Sequence, residues 1–441
     1  MTLLTNARIL TMDAGLTEYE RGWLRFEGSR ITGLGAGEAP APLAGEEVVD
    51  CGGDLVMPGM VNSHCHMTMS LFRGLGEDVD DRLFRYILPL ERRAIDARSV
   101  RIGSTLAALE LIRGGVTTVA DMYYFEQEVG RVIDTSGLRG IVGQTLGNFD
   151  PPDARSFDES FALTDALVDE FKGHSRVIAS IAPHATYSTD VPIMARVADY
   201  AAANPGLRVQ LHMAETVPET DWAQKTYGCS PVGTVDRAGL LTEGLIAAHC
   251  LFVSEADMDL MAERGVGVAH NARSNGKAGR GIAPIEAMRK RGIPVGIATD
   301  GAMSGNGLDL FAQFAPVSMF QKLAGNSRKP QTARDTTRMA TLEAAKVLGL
   351  DQVTGSLEPG KQADIIRISL ADPRLHPIWD IYSTLVFATL ATDVRDTVCA
   401  GAWLMRDRQV LTLEAAKVLA DGLQVAREFG AIVQEIDAAR A

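Results

Sequence analysis

The chain has 441 residues, of which 46% are hydrophobic and 22% charged, and its formal net charge is −13 at pH 7. This length suits one large domain of barrel size plus an accessory domain, and the composition is that of a globular enzyme. The acidic balance and the absence of Lys/Arg runs argue against nucleic acid as a partner.

The sequence shows neither a targeting segment nor a disulfide pattern. Residues 1–13 carry neither a basic lead nor a long apolar run, so we expect no signal peptide. No segment reaches the roughly 18 apolar residues that a membrane span needs, so a membrane is not an expected partner. The five cysteines are scattered and odd in number, which is typical of reduced thiols. Together these features predict a cytoplasmic protein.

Both ends of the chain carry short predicted strands separated by turns. They lie at 7–12, 22–26, 30–34, 363–368 and 397–404. Neither group is long enough to bury a sheet of its own, because small isolated sheets are marginally stable. We therefore expect residues 1–57 and 358–411 to fold together into one small β-sandwich domain. Residues 412–441 are predicted to form a C-terminal amphipathic helix.

The segment 58–357 alternates apolar strands with amphipathic helices. After the opening strand near residue 57, strands are predicted at 116–120, 138–143, 177–182, 209–212, 245–249, 266–270 and 295–300. Repeated strand–helix units with continuous apolar strands indicate a parallel sheet covered by helices. Eight units over this length favour an α/β fold of the (β/α)8 TIM barrel type over an open sheet.

Histidines and carboxylates follow the predicted strand ends. Of the eight histidines in the chain, six lie at or just beyond a strand end: His64, His66, His184, His212, His249 and His270. Asp300 closes the eighth strand, and Glu215 follows the fifth. In a barrel the carboxyl ends of all strands meet at one mouth, where barrel enzymes have their active sites. The joint placement predicts an active site there.

Four of these residues form a candidate metal site. His64 and His66 are two residues apart, so on a strand their imidazoles project to the same side. With His212 and Asp300 they supply three nitrogens and one carboxylate, a set that suits Zn²⁺ or Fe²⁺ better than Mg²⁺ or Ca²⁺. A second metal would need a bridging lysine at the end of the fourth strand, residues 177–184, which contains none. We expect one metal ion per chain.

Three residues are predicted to be catalytic. A divalent cation lowers the pKa of bound water from about 15.7 toward about 7, which provides hydroxide at neutral pH. Glu215 is placed to move a proton between that water and the substrate. His249 orients the hydroxide for attack. Asp300 contacts the metal and also accepts the water proton, which it passes to the leaving group.

Five segments carry a resemblance to a known family. In chain order they are MPGMVNSHCH (57–66), LHMAE (211–215), AHC (248–250), HNARSN (270–275) and ATDG (298–301). As an ordered set they resemble the amidohydrolase superfamily over nearly the whole chain. The segments GIAP (281–284) and NGLDLF (306–311) resemble its triazine-hydrolase and S-adenosylhomocysteine/methylthioadenosine deaminase branch. The resemblance implies a mononuclear metal site, usually zinc, and a homodimer or larger homo-oligomer.

The substrate implied by this branch is an aminated N-heteroaromatic ring. Members that deaminate adenosylhomocysteine carry an arginine after the third strand, where this chain has Gln144. The segment 77–88 also looks shortened relative to such members. We therefore expect a free base, pterin or other small ring, with Gln144 and His184 as substrate-binding residues. Three arginines have no role assigned from sequence: Arg82, Arg85 and Arg273.

The sequence thus predicts a metal-dependent aminohydrolase, a hydrolase of carbon–nitrogen bonds in cyclic amidines. Hydroxide generated at the metal attacks the ring carbon that bears the amine, Glu215 protonates the adjacent ring nitrogen, and ammonia leaves. Three alternatives stay open: dechlorination of a chlorotriazine, deamination of adenosylhomocysteine or methylthioadenosine, and hydrolysis of a cyclic amide. A non-catalytic barrel would lack metal ligands, and none is missing here.

Overall fold

The computed structural model describes residues 1–439. In chain order the strands of this part are β1 (Thr2–Leu10), β2 (Glu18–Glu27), β3 (Arg30–Ala36), β4 (Glu47–Asp50), β5 (Leu55–Pro58), β6 (Met60–Cys65), β7 (Val116–Tyr123), β8 (Arg139–Leu146), β9 (Val177–Pro183), β10 (Arg208–Met213), β11 (Leu245–His249), β12 (Gly267–His270), β13 (Val295–Ile297), β14 (Ile365–Ile368), β15 (Val394–Cys399), β16 (Ala402–Arg406) and β17 (Gln409–Val410).

The α-helices cover the strands or connect them. They are α1 (Leu88–Ala94), α2 (Ala97–Arg113), α3 (Glu126–Ser136), α4 (Phe157–Glu170), α5 (Val191–Ala203), α6 (Val217–Tyr227), α7 (Pro231–Arg237), α8 (Glu255–Arg264), α9 (Ala272–Lys277), α10 (Ile285–Lys290), α11 (Ala302–Gly305), α12 (Phe311–Ala324), α13 (Ala333–Met339), α14 (Leu342–Val347), α15 (Ile381–Phe387) and α16 (Ala415–Ala438). A 3₁₀ turn, Met67–Phe72, and a π-helical turn, Leu83–Ile87, follow β6.

The two ends of the chain share one sheet. Its order is β17-β16-β15-β14-β5-β1-β2-β3, with β4 beside β1. Trp403 on β16 and Phe26 on β2 are five strands apart, which would be about 24 Å in a flat sheet. Their ring centroids are nevertheless 6.4 Å apart. The sheet therefore folds over itself into two layers, which confirms the predicted small β domain built from both termini.

The second sheet is the barrel. Its eight strands, β6 to β13, are parallel and follow one another in chain order. The first and last strands meet through Ser63 Oγ, which donates to the carbonyl of Ile297 at 2.9 Å. The backbone N–H of Asp300 likewise donates to the carbonyl of His64 at 3.2 Å. The predicted TIM barrel is confirmed, and its closure brings His64 beside Asp300.

The predicted opening strand is wrong in one respect. The opening strand was expected to run from Leu55 to the segment His64–His66, but these residues form two strands, because β5 pairs with β1 and β14 while β6 pairs with β7. The break lies at Gly59. A Cβ atom there would lie 2.3 Å from Thr117 Cγ2, so only glycine fits where the chain passes from one sheet to the other.

The helices support the carboxyl end of the barrel. The N-terminus of α2 is capped by Asp96, whose carboxylate accepts from the Ser99 N–H. The C-terminal helix α16 packs its Phe429 on Phe72, in the turn after His66, with ring centroids 5.5 Å apart. The predicted helix extended to residue 441, and residues 440–441 lie outside the described part of the chain.

Within the described residues, none of the helices combines the length and the apolar character needed to span a bilayer.

Candidate active site

Three histidines converge at the carboxyl end of the barrel. His64 lies on β6, His66 follows it and His212 lies on β10, and all three are buried. Their ligand atoms lie within 4.8 Å of one another. His66 Nδ1 is 2.6 Å from the Met122 carbonyl oxygen, and His212 Nδ1 is 2.9 Å from the His184 carbonyl oxygen. Because Nδ1–H donates to backbone in both rings, each Nε2 presents its lone pair to the group. We call these three residues the histidine cluster.

The histidine cluster fits a divalent metal. His64 Nε2 is buried and has no hydrogen-bond partner among residues 1–439, although buried nitrogens are normally hydrogen-bonded. Burial, together with the neighbouring His66 and His212, holds the pKa of His64 well below its usual value. Burial lowers the pKa of His212 to about 4. Neutral imidazoles with free lone pairs are what Zn²⁺ and related ions require.

Asp300, the fourth predicted ligand, lies beside the cluster. Its Oδ1 is 3.4 Å from His66 Nε2, and its Oδ2 accepts a hydrogen bond from Ser274 Oγ at 2.6 Å. Burial by itself would raise the pKa of Asp300, but the imidazoles of His249 and His66 lower it by more. The net effect is a pKa below the usual range, so this carboxylate stays ionised next to the histidines.

Glu215 and His249 lie against each other beside the histidine cluster, where the His249 ring centroid is 5.5 Å from that of His212. Glu215 Oε1 is 3.5 Å from His249 Nε2, and His249 Nδ1 is 2.9 Å from Oδ1 of Asn275. Burial works to raise the pKa of Glu215, whereas His249 and Arg280 lower it below its usual value. Arg280 Nη1 forms an ion pair with Glu215 Oε1. Glu215 is thus an ionised carboxylate within reach of both the histidines and the cavity.

The strand ends that carry these groups turn sharply. Ala214, His249, Cys250 and Asp300 are non-glycine residues with φ between 47° and 73°. Such left-handed backbone is uncommon outside glycine and is concentrated at functional sites. At the ends of β10, β11 and β13 it turns the chain immediately after the strand. The side chains of His249 and Asp300 are thereby aimed at the histidine cluster.

The two predicted substrate-binding residues differ in position. The His184 ring centroid lies 4.9 Å from that of His212, and burial holds the pKa of His184 well below its usual value. Gln144 is 2% exposed on β8, and its Nε2 donates to Asp153 Oδ2 at 2.9 Å. His184 therefore borders the histidine cluster, whereas the amide of Gln144 contacts Asp153. Both roles stay predictions.

The three arginines without an assigned role lie in different surroundings. Arg82 Nη1 donates to the carbonyl of Met303, just beyond Asp300, at 3.3 Å. Arg85 instead pairs with Asp437 on α16 at 3.0 Å. Arg273 lies on α9 and is half-buried. Of the three, Arg82 contacts the segment just after Asp300, while Arg85 is directed to the C-terminal helix.

Sequence reasoning missed several contacts of the site. Ser274 and Asn275 lie in the segment 270–275 that carried the family resemblance, so a signal for them existed. Arg280 had no such signal, because its contact with Glu215 depends on the path of the loop after α9. His270, at the end of β12, is buried with both ring nitrogens unpartnered within the described residues, and burial lowers its pKa to about 3.

Comparison with known proteins places the chain in a family. The model of the amidohydrolase family matches residues 55–404. The chain belongs to the amidohydrolase family. The resemblance carried by the five sequence segments is thereby confirmed, and the match covers the whole barrel together with part of the terminal β domain.

Similar proteins are named as deaminases. The chain is 34% identical over 430 residues to a 5-methylthioadenosine/S-adenosylhomocysteine deaminase of Syntrophobacter fumaroxidans, covering 96% of this chain and 97% of the relative. It is 34% identical over 435 residues to a 5'-deoxyadenosine deaminase of Methanosarcina mazei, covering 98% and 99%. A zinc-bound structure of an adenosine deaminase from Xanthomonas campestris superposes with a TM-score of 0.93 at 30% identity, covering 98% of each chain. The predicted class, a hydrolase of carbon–nitrogen bonds in cyclic amidines, agrees with these relatives.

Proposed function

We propose that this protein is a zinc-dependent aminohydrolase that removes ammonia hydrolytically from an aminated N-heteroaromatic ring such as a purine, pterin or triazine. The observation that carries the proposal is the buried histidine cluster, in which His64 Nε2 has no partner among the described residues. Asp300 is the fourth proposed ligand. We expect one Zn²⁺ per chain, with Fe²⁺ as the alternative ion.

A bound Zn²⁺ would supply a Lewis acid that lowers the pKa of a water molecule. His249, held at Nδ1 by Asn275, presents Nε2 to the cavity and orients the attacking water. Glu215, next to His249 Nε2, takes one proton from the water and carries it to the ring nitrogen adjacent to the attacked carbon. Asp300 is held ionised, so it accepts a proton from the water and passes it to the leaving amine.

The substrate ring is proposed from the names of the relatives and from the residues near the histidine cluster. Proteins similar to this chain are named for adenosine-like compounds, which makes an aminopurine the first ring to test. His184 borders the histidine cluster and is the proposed ring contact. Gln144 is proposed as a second substrate residue from its position near the carboxyl end of β8, which requires its amide to leave Asp153.

Metal analysis and product analysis together test the proposal. Purified protein should contain about one Zn²⁺ per chain after loading, and a content near two would contradict a mononuclear site. The loaded protein should release ammonia from at least one member of a panel of adenosines, guanines, pterins and triazines. Chloride release from a chlorotriazine without ammonia release from any ring would favour the dechlorination alternative.

Two further properties belong to the proposal. We expect the protein to be cytoplasmic, which cell fractionation tests. We also expect a homodimer or larger homo-oligomer, which light scattering on the zinc-loaded protein tests directly. A monomer at micromolar concentration would contradict the second expectation without affecting the proposed chemistry.

A further inference from the structure

Arg280 lies on a loop whose backbone conformation depends on two glycines. The loop of residues 278–284 joins α9 to α10, and the Arg280 N–H donates to the Asn275 carbonyl at 3.0 Å. Arg280 is flanked by Gly279 and Gly281, whose φ angles of 63° and 126° are left-handed. The value at Gly281 is accessible essentially to glycine alone. The loop thereby places the guanidinium of Arg280 against Glu215.

Arg82 lies on the segment that follows β6, and its side chain reaches Met303, three residues beyond Asp300. Its Nη1 donates to the Met303 carbonyl, and within residues 1–439 it forms no ion pair with a carboxylate. Glu77, the acid of the same segment that raises the pKa of Arg82, is already held by Lys277 at 2.8 Å and by Asn306 at 3.1 Å. Arg82 is half-buried, so its charge is partly removed from water without a carboxylate to compensate for it.

The two guanidinium groups act on each other. Burial lowers the pKa of Arg82, and the positive charge of Arg280 lowers it further, while Glu77 and Asp300 oppose this effect. Arg82 and Lys277, the last residue of α9, both donate to the Met303 carbonyl at 3.3 Å, so Arg82 lies beside the start of the loop that carries Arg280. Arg280 is paired with Glu215, whereas Arg82 has no carboxylate partner among residues 1–439. An uncharged aminated ring does not require two such cations at the entrance to its site. An anion between them would satisfy the donors of Arg82 and neutralise the repulsion.

We propose that Arg82 and Arg280 form an anion-binding wall beside the histidine cluster, so that the ring substrate carries a carboxylate or phosphate group. This inference rests on the proposed deaminase function and names its substrate class more narrowly. The amine-bearing carbon then faces His249 and Glu215, while the anionic substituent points to the loops after β6 and α9. Because the net charge of the chain is −13, a local cationic wall is also needed to admit an anion.

Matched pairs of ligands test the wall. Adenosine with adenosine 5'-monophosphate tests a phosphate, and pterin with pterin-6-carboxylate tests a carboxylate. The zinc-loaded protein should show a kcat/KM for the anionic member of at least one pair that is about 10- to 100-fold higher, as charge-assisted hydrogen bonds imply. Preference within a single pair identifies the anion. Equal or lower kcat/KM for the anionic member of both pairs overturns the proposal.

A variant of Arg82 shows whether this side chain is the cause. Arg82→Gln should reduce the anionic-to-neutral ratio of kcat/KM by about 10- to 100-fold, mainly through the KM of the anionic member. Arg85→Gln is the matched control, because Arg85 lies three residues on and pairs with Asp437 of α16. The control should leave the ratio unchanged. An unchanged ratio in Arg82→Gln, or an equal change in both variants, contradicts the wall.

Product binding separates this proposal from the proposed function. Inosine and inosine 5'-monophosphate, the deaminated counterparts of the purine pair, need no turnover to bind. With the pterin pair, they can be titrated calorimetrically into zinc-loaded wild-type protein and Arg82→Gln. If no ring releases ammonia but the anionic ligand binds more tightly through Arg82, the deaminase function fails and the wall stands. Equal binding of both members in every pair removes the wall, whatever the chemistry.

Discussion

The candidate site has a floor, made by the histidine cluster with Asp300, and a mouth, made by residues 77–82 and 277–284. Different contacts hold the two parts. At the floor, the imidazoles of His66 and His212 bond to backbone carbonyls on neighbouring strands. At the mouth, the contacts run between side chains of loops, such as Lys277 with Glu77. Barrel strands fix the floor, whereas loop residues can change the mouth without disturbing the barrel. The chemistry and the choice of substrate therefore depend on separate parts of the chain.

The largest effect is expected from the floor. His64→Asn removes the nitrogen that has no partner among residues 1–439, so we expect loss of bound zinc and a fall in kcat/KM of more than about 1,000-fold. Metal content by mass spectrometry and ammonia release measure the two effects together. His174→Asn, at a histidine that pairs with Asp134 far from the cluster, is the control and should keep zinc. Zinc retained at wild-type level in His64→Asn would contradict the ligand assignment.

Glu215 connects the floor to the mouth, because it faces His249 on one side and Arg280 on the other. Glu215→Gln keeps the shape but cannot carry a proton. We expect kcat to fall by about 100- to 10,000-fold while zinc stays bound. Ammonia release and zinc content from the same preparation distinguish this from His64→Asn. If zinc were lost as well, Glu215 would belong to the metal site instead.

These first two residues could be predicted from the sequence. The apolar pattern locates the strand ends, and a barrel brings all of them to its carboxyl end. His64 and Glu215 are therefore brought together by topology alone. The break at Gly59 was missed because apolar residues continue on both sides of it. The Pro58–Gly59 pair is a turn signal, but the close approach of Thr117 that requires glycine depends on the fold. Arg280 was missed because its contact depends on left-handed turns at flanking glycines, which strand and helix periodicity does not record.

Glu91 is a buried carboxyl that connects α1 to the barrel strand β7. It lies on α1, is 4% exposed, and accepts from the Tyr123 hydroxyl on β7 at 2.7 Å. Burial raises the pKa of Glu91 from 4.5 to about 7, although hydrogen bonds from Tyr123 and Tyr124 oppose the change. The folded protein thus keeps a proton that the unfolded chain loses above pH 4.5. Its free energy of unfolding should fall by about 3 kcal/mol as the pH rises from 4.5 to above 7.

Glu91→Gln removes this pH dependence. Relative to wild type, the variant should gain about 3 kcal/mol of stability between pH 4.5 and pH 8, because the glutamine never ionises. Melting temperatures of both proteins at these two pH values measure the change. Glu435→Gln, at an exposed glutamate paired with Arg93, is the control and should follow wild type. A pH-independent difference between Glu91→Gln and wild type would mean that Glu91 ionises normally.

A variant of Asn275 tests whether activity depends on a residue that positions His249 without contacting the substrate. Its Oδ1 holds His249 Nδ1 at 2.9 Å, so Asn275→Ala should lower kcat by about 10- to 100-fold with zinc still bound. Asn275→Asp keeps an oxygen acceptor and should recover most of the activity. The comparison of kcat with KM is the informative measurement, since orientation of His249 affects turnover more than binding. Equal loss in both variants would indicate a packing defect.

The smallest effect is expected at the mouth. Lys277 pairs with Glu77 at 2.8 Å, and the two side chains are 23% and 40% exposed. Ion pairs this exposed contribute about 0–1 kcal/mol, so Lys277→Met should raise KM by less than about fivefold and leave zinc content unchanged. The effect should shrink as salt is added. Because Glu77 and Lys277 act through the same pair, Glu77→Gln should add little to Lys277→Met. A loss of kcat as large as that of Asn275→Ala would show that mouth and floor are not separate.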